Sequence, residues 1–93
     1  MNISEDQDQI AKAKGEQLIS AIPLIPEVEA IGVEPYIDHT GDRALQLTFH
    51  LRRGVAVDDA FFEKFHPFKA LVQTRILHSD LERFPYTRLE KAA

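Results

Sequence analysis

Residues 44 to 52 read "ALQLTFHLR", in which Leu45, Leu47, Phe49 and Leu51 alternate with Gln46, Thr48, His50 and Arg52. Side chains of a strand point to opposite faces in turn, so this pattern predicts a strand from Ala44 to Arg52 with one dry face and one wet face. Whatever else the chain does, it must supply a cover for the four apolar side chains. The best candidate is the stripe Phe61, Phe65, Phe68, Val72 and Ile76, with Leu71 beside it, which recurs at helical spacing. The predicted core is the four strand residues against that stripe.

The remaining elements follow from local chemistry. Ser4 and Gln7 have the spacing of a capping box, and Ile10, Ala13, Leu18, Ala21 and Ile22 recur at helical intervals, which predicts a first helix from about residue 4 to 21. Gly15 weakens it slightly. "IPLIPE" ends that helix, because two prolines so close cannot both lie inside one. Residues 28 to 37 read as a strand with a bulge near Ile31 and Gly32, and Pro35 marks an end that is either unpaired on one side or already leaving the sheet. "DHTGDR" is a hairpin turn. Asp58 or Asp59 caps the next helix, which either kinks at Pro67 or breaks there, and whose character continues to about Leu81 or Arg83. "FPYTRLE" supplies a third strand, and residues 1–3 and 91–93 are expected to fray.

The fold class expected is therefore α+β, in the order α-β-β-α-β, as one domain over residues 1–93. A short turn makes the first two strands antiparallel, and the second helix returns the third strand parallel to the second. The simplest placement sets the third strand beside the first, giving a three-stranded sheet of order 2-1-3 with the helices packed on one face.

Ninety-three residues suffice for a single small core. The absence of cysteine removes disulfides, thiolate nucleophiles and cysteine zinc sites. The N-terminus is acidic and polar, unlike a secretory signal, and no apolar run approaches the ~20 residues of a membrane span, so a cytoplasmic protein that does not enter membranes is expected. The net charge of −4 is unevenly spread. Residues 1 to 42 carry −7 and residues 43 to 93 carry +3, the latter a dilute footprint for nucleic acid.

The chemistry-bearing residues have structural explanations. Asp38, His39 and Asp42, with His50 or Glu34 nearby, could ligate a divalent ion, but no metal-site spacing occurs and turn formation accounts for the same residues. Ser79 lies between His78 and Asp80, yet neighbours on a helix point in different directions and make no triad. Asp58 and Asp59 suit a helix N-terminus better than a catalytic pair. Four scattered glycines form no phosphate loop. No enzyme activity, no cofactor and no metal is expected.

The segment "VEAIGVEPYIDHTGDRALQLTFHL" resembles short bacterial proteins in which a strand runs into a "GD-x-A-L" hairpin, here Gly41, Asp42, Ala44 and Leu45, and which close with a "PY-x-R" strand, here Pro85, Tyr86, Arg88 and Leu89. Over residues 28 to 90 the chain is similar to members that accompany HEPN-type or nucleotidyltransferase-like proteins of toxin–antitoxin and defence loci. The resemblance implies an interaction module, and no catalytic residues come with it.

The function expected is non-enzymatic protein–protein binding, as the accessory or neutralising partner of a second protein. In a 2-1-3 sheet the strand 44–52 is a long free edge without proline or lysine, which would pair with another protein or with its own copy in a homodimer. The candidate partner-binding residues are Gln46, Thr48, His50, Arg52, Arg53, Tyr86 and Arg88. The alternative is a nucleic-acid-binding module using the same exposed sheet face.

Overall fold

A computed structural model describes residues 3–92. The elements run α1 (Ile3–Ser20), β1 (Val28–Ile37), β2 (Arg43–Leu51), α2 (Asp59–Leu77) and β3 (Pro85–Glu90), an α+β chain in the expected order. The capping box expected at Ser4, and fraying at residues 1, 2 and 93, lie outside the described residues and side chains. Among the described residues, no helix is long and apolar enough to cross a membrane.

The sheet order is β1-β2-β3, with β1 antiparallel and β3 parallel to β2. The 2-1-3 order expected above is therefore corrected: β2 is the central strand, and β3 lies on the side of β2 away from β1. The reason lies in the residues. Leu45, Leu47 and Phe49 are wholly buried, which a central strand achieves more fully than an edge. The proline, the bulge and the acidic side chains that blunt an edge all sit on β1. Their absence from residues 44 to 51 reflects a strand already paired on both sides. The idea that 44–52 recruits a partner or a second copy through its edge falls with the order.

Phe49 is the hub of the core. Its ring meets Phe65 at 5.0 Å and Phe68 at 5.8 Å, both edge-on, the arrangement that aligns a ring's positive rim with its neighbour's negative face. The expected core residues are all buried, from Leu45 to Leu51 on β2 and from Phe61 to Ile76 on α2. Asp58 caps α2, its carboxylate accepting from the Phe61 amide at 2.9 Å. The helix runs without a break through Pro67 and ends at Leu77, short of the expected residues 81 to 83. Pro67 is solvent-exposed, so the carbonyl that loses its helical donor can turn to water while the buried stripe continues beneath it.

The buried face of α1 differs from the one the apolar residues suggested. Ala11, Gly15, Ile19 and Ile22 are buried, whereas Ile10 is 57% exposed and Ala13 and Ala21 face solvent. Gly15 stands at the centre of the contact: a methyl group there would come within 3.1 Å of Val33 Cγ1 and 3.4 Å of Leu45 Cδ1. What reads as a weak point in a helix is the place where α1 approaches the sheet. A second difference concerns the bulge in β1, which lies between Val28 and Ala30 rather than at Gly32. An ion pair between Asp8 and Arg83, 2.9 Å apart with Arg83 almost wholly buried, ties α1 to the segment entering β3.

Two substitutions probe this packing. Phe49→Ala is expected to cost about 3 to 5 kcal/mol in urea unfolding, the usual range for removing a buried phenylalanine. Gly15→Val is expected to destabilise as well, because a β-branched side chain adds helix cost and overlaps Val33; unchanged stability would mean that α1 does not sit on the sheet at Gly15.

Candidate functional site

The face of the sheet opposite Phe49 carries the row Gln46, Thr48 and His50 on β2, each half-buried. The register sets Glu34, Gly32 and Ala30 beside this row from β1, and Tyr86, Arg88 and Glu90 from β3. Five of the seven candidate residues therefore share one face: Gln46, Thr48, His50, Tyr86 and Arg88. The other two do not. Arg52 Nε donates to the Pro26 carbonyl at 2.9 Å, which holds the chain entering β1, and Arg53 lies in the turn after β2.

At one end of this face the aromatic rings gather. Tyr36 and Tyr86 meet edge-on at 5.5 Å, and Phe84 lies 4.8 Å from Tyr86. The small side chain of Ala44, opposite Tyr36 in the register, leaves room for β1 and β3 rings to meet across β2. Tyr36 is 38% exposed and Phe84 50% exposed, with Ile37 59% exposed at the margin. Sequence reasoning missed Tyr36 and Phe84. The signal was parity: Tyr36 shares the polar face of β1 with Glu34, and Phe84 shares that of β3 with Tyr86.

Toward the other end, Glu90 stands between His50 and Arg88, with its oxygens 3.8 Å from His50 Nδ1 and 3.7 Å from Arg88 Nη2. The His50 ring lies over Gly32, where a methyl group would come within 3.3 Å of Nε2. The face thus offers aromatic area at one end and a compact set of mixed charges at the other.

The hairpin turn that joins β1 to β2 anchors the aromatic end. Asp38 donates its amide to the Asp42 carbonyl, and the Gly41 amide donates to Asp38. Gly41 has φ 87°, a conformation that glycine alone adopts without cost, as the turn reading requires. The Asp38 carboxylate accepts from the Thr40 hydroxyl at 2.6 Å, from the Thr40 and Asp42 amides, and from the Tyr86 hydroxyl at 3.0 Å. The Thr40 hydroxyl, with these other donors, holds the Asp38 carboxyl down at about 2. The same bond raises Tyr86 above the ordinary phenol value, since the phenol donates to a carboxylate. Among the described residues, no three or more of His, Asp and Glu come together to hold a metal ion.

The turn generates two expectations. Gly41→Val is expected to cost about 1 to 2 kcal/mol from backbone strain alone, since nothing lies within 4 Å of the site, whereas His39→Ala is expected to stay within about 0.5 kcal/mol. The folded Asp38 carboxyl binds its proton less readily than the unfolded one, so its contribution is present above pH ~4 and is lost as pH falls toward about 2. Thermal melts of Asp38→Asn followed by circular dichroism are therefore expected to depend less on pH between about 4 and 2 than those of the unaltered chain; parallel profiles would exclude this role.

No protein-family model, no curated protein and no solved structure matches this chain, so the geometry of this face is what a functional reading rests on.

Proposed function

We propose that the chain is a non-catalytic, cytoplasmic protein-binding module that docks a second protein on the sheet face bearing Tyr36, Phe84 and Tyr86. The rings of Tyr36 and Phe84 are open to solvent on this face, which leaves it available to a partner. The observation that carries the reading is the exposed aromatic cluster flanked by Gln46, Thr48, His50 and Arg88. Tyrosine and phenylalanine bury large area at small entropic cost, and they anchor protein interfaces inside a polar rim. The resemblance noted above would make the partner the effector of a toxin–antitoxin or defence pair, which this chain accompanies or neutralises.

Three aromatic rings on a sheet face also favour a second reading, single-stranded nucleic acid binding, because bases stack on such rings. Electrostatics favours the first. The Asp38 carboxylate, ionised throughout the neutral range, touches the central ring, and Glu34 and Glu90 share the face with its only flanking arginine among the described β3 residues, Arg88.

The test pairs a recovery experiment with a salt series. Tyr36→Ala with Phe84→Ala is expected to abolish co-purification of a partner recovered by the unaltered chain, with circular dichroism showing the fold retained. A partner still recovered by the double variant would remove this face from the reading. A fluorescent thymidine oligonucleotide is expected not to bind at about 200 mM salt; tight binding that falls steeply between about 50 and 200 mM would establish the nucleic-acid reading instead.

A further inference from the structure

The aromatic cluster lies in a negative field, and the two together select a charge. The ring centroids stand 5.5 Å apart for Tyr36 and Tyr86 and 4.8 Å apart for Tyr86 and Phe84. The face of such a ring is the negative end of its quadrupole, and a cation within ~6 Å of the centroid is drawn to it. With centroids this close, one cationic group above the cluster comes within that reach of two rings at once.

The hairpin turn adds full charges beside the rings. Asp38 Oδ1 takes three bonds, from the Thr40 hydroxyl and from the Thr40 and Asp42 amides, while Oδ2 takes one, from the Tyr86 hydroxyl. A carboxylate oxygen can accept two, so Oδ2 keeps room for a donor next to the phenol. Asp42 is exposed, and its carboxylate accepts from the Thr40 hydroxyl at 3.2 Å. Among the described residues, neither Asp38 nor Asp42 has an ion pair. The neighbouring arginines are directed elsewhere: Arg43 Nη1 donates to Gln7 at 2.6 Å, and Arg88 Nη2 stands 3.7 Å from Glu90. Glu34 is already met by Lys12 at 3.2 Å, which leaves the field at the rings to Asp38 and Asp42.

We infer that this cluster is a receptor for arginine: a guanidinium of the docked protein lies on the Tyr36, Tyr86 and Phe84 rings and donates to Asp38 and Asp42. The inference rests on the reading of this face as a docking surface and names the residue that anchors the partner. A guanidinium stacks flat on a ring while its donors, which lie in its own plane, stay free for carboxylates, and it is more weakly hydrated than the ammonium of lysine. An aliphatic anchor would leave both carboxylates unused, and an acidic one would meet them as like charges.

The experiment titrates the full chain with end-blocked Gly-Arg-Gly, with the same peptide carrying citrulline, the neutral isostere of arginine, and with its lysine counterpart, following the ring-proton shifts of Tyr36, Phe84 and Tyr86. The arginine peptide is expected to bind at millimolar concentration and the citrulline peptide about tenfold more weakly, with lysine between them. Asp42→Asn, an exposed change, is expected to weaken arginine about twofold to fivefold and to leave citrulline unaltered. In Tyr36→Leu with Phe84→Leu, which keeps apolar area but removes two ring faces, arginine is expected to lose most of its advantage, with the far-UV spectrum unchanged. The inference is overturned if arginine and citrulline bind alike to the unaltered chain, if lysine binds as tightly as arginine, or if no peptide moves the three rings. Loss of partner recovery in the alanine double variant together with any of those results would keep the docking surface and remove arginine as its anchor. Selective arginine binding together with a partner that the alanine variant still recovers would do the reverse.

Discussion

The structure depends on one requirement: Leu45, Leu47, Phe49 and Leu51 must leave water together. At roughly 1.5 to 3 kcal/mol for each fully buried side chain, their transfer is among the largest favourable terms available to a chain this short. Burying one face of a strand calls for a helix above it, and α2 answers with five buried side chains in a stripe. Removing Leu45, Leu47 and Phe49 from solvent entirely calls also for neighbours on both sides, which β1 and β3 supply. Gly15 then admits α1 close enough to complete the cover.

Ion pairs act on this frame as ties rather than as its source of stability. Lys12 to Glu34 and Lys64 to Glu27 are partly or largely exposed, and pairs of that kind contribute from nothing to about 1 kcal/mol each. Asp8 and Arg83 differ, because Arg83 is withdrawn from water and its loss of hydration must be offset by the carboxylate. Their value lies in geometry: the pair fixes where α1 crosses the segment that leads into β3.

Periodicity made most of the elements legible. The span of β1, the central strand, the turn at Asp38 to Arg43, the Asp58 cap and the aromatic stripe of α2 all follow from side-chain spacing and turn chemistry. What failed was what periodicity does not encode. Strand order depends on which edge of the hairpin β3 meets, and the informative sign is the presence of edge-blunting residues on β1 and their absence from β2. The face of α1 was misjudged because Gly15 has no side chain to count, though its smallness is what the packing uses. The site was legible in part. Gln46, Thr48, His50, Tyr86 and Arg88 share a face because alternation is a local rule, while the meeting of Tyr36 with Tyr86 required knowing which strands flank Ala44.

The bond from Tyr86 to Asp38 joins residues 48 apart in the chain, whereas the hairpin that holds Asp38 closes over a few residues. Closing the longer loop costs more chain entropy than closing the hairpin, and the phenol–carboxylate bond helps to hold β3 in place against that cost. The departure of β3 would bare the flank of β2 that Leu45 marks with its amide, the longest proline-free and lysine-free run of strand in the protein. The segment best hidden in the native state is thus the one that loss of β3 would open to intermolecular pairing.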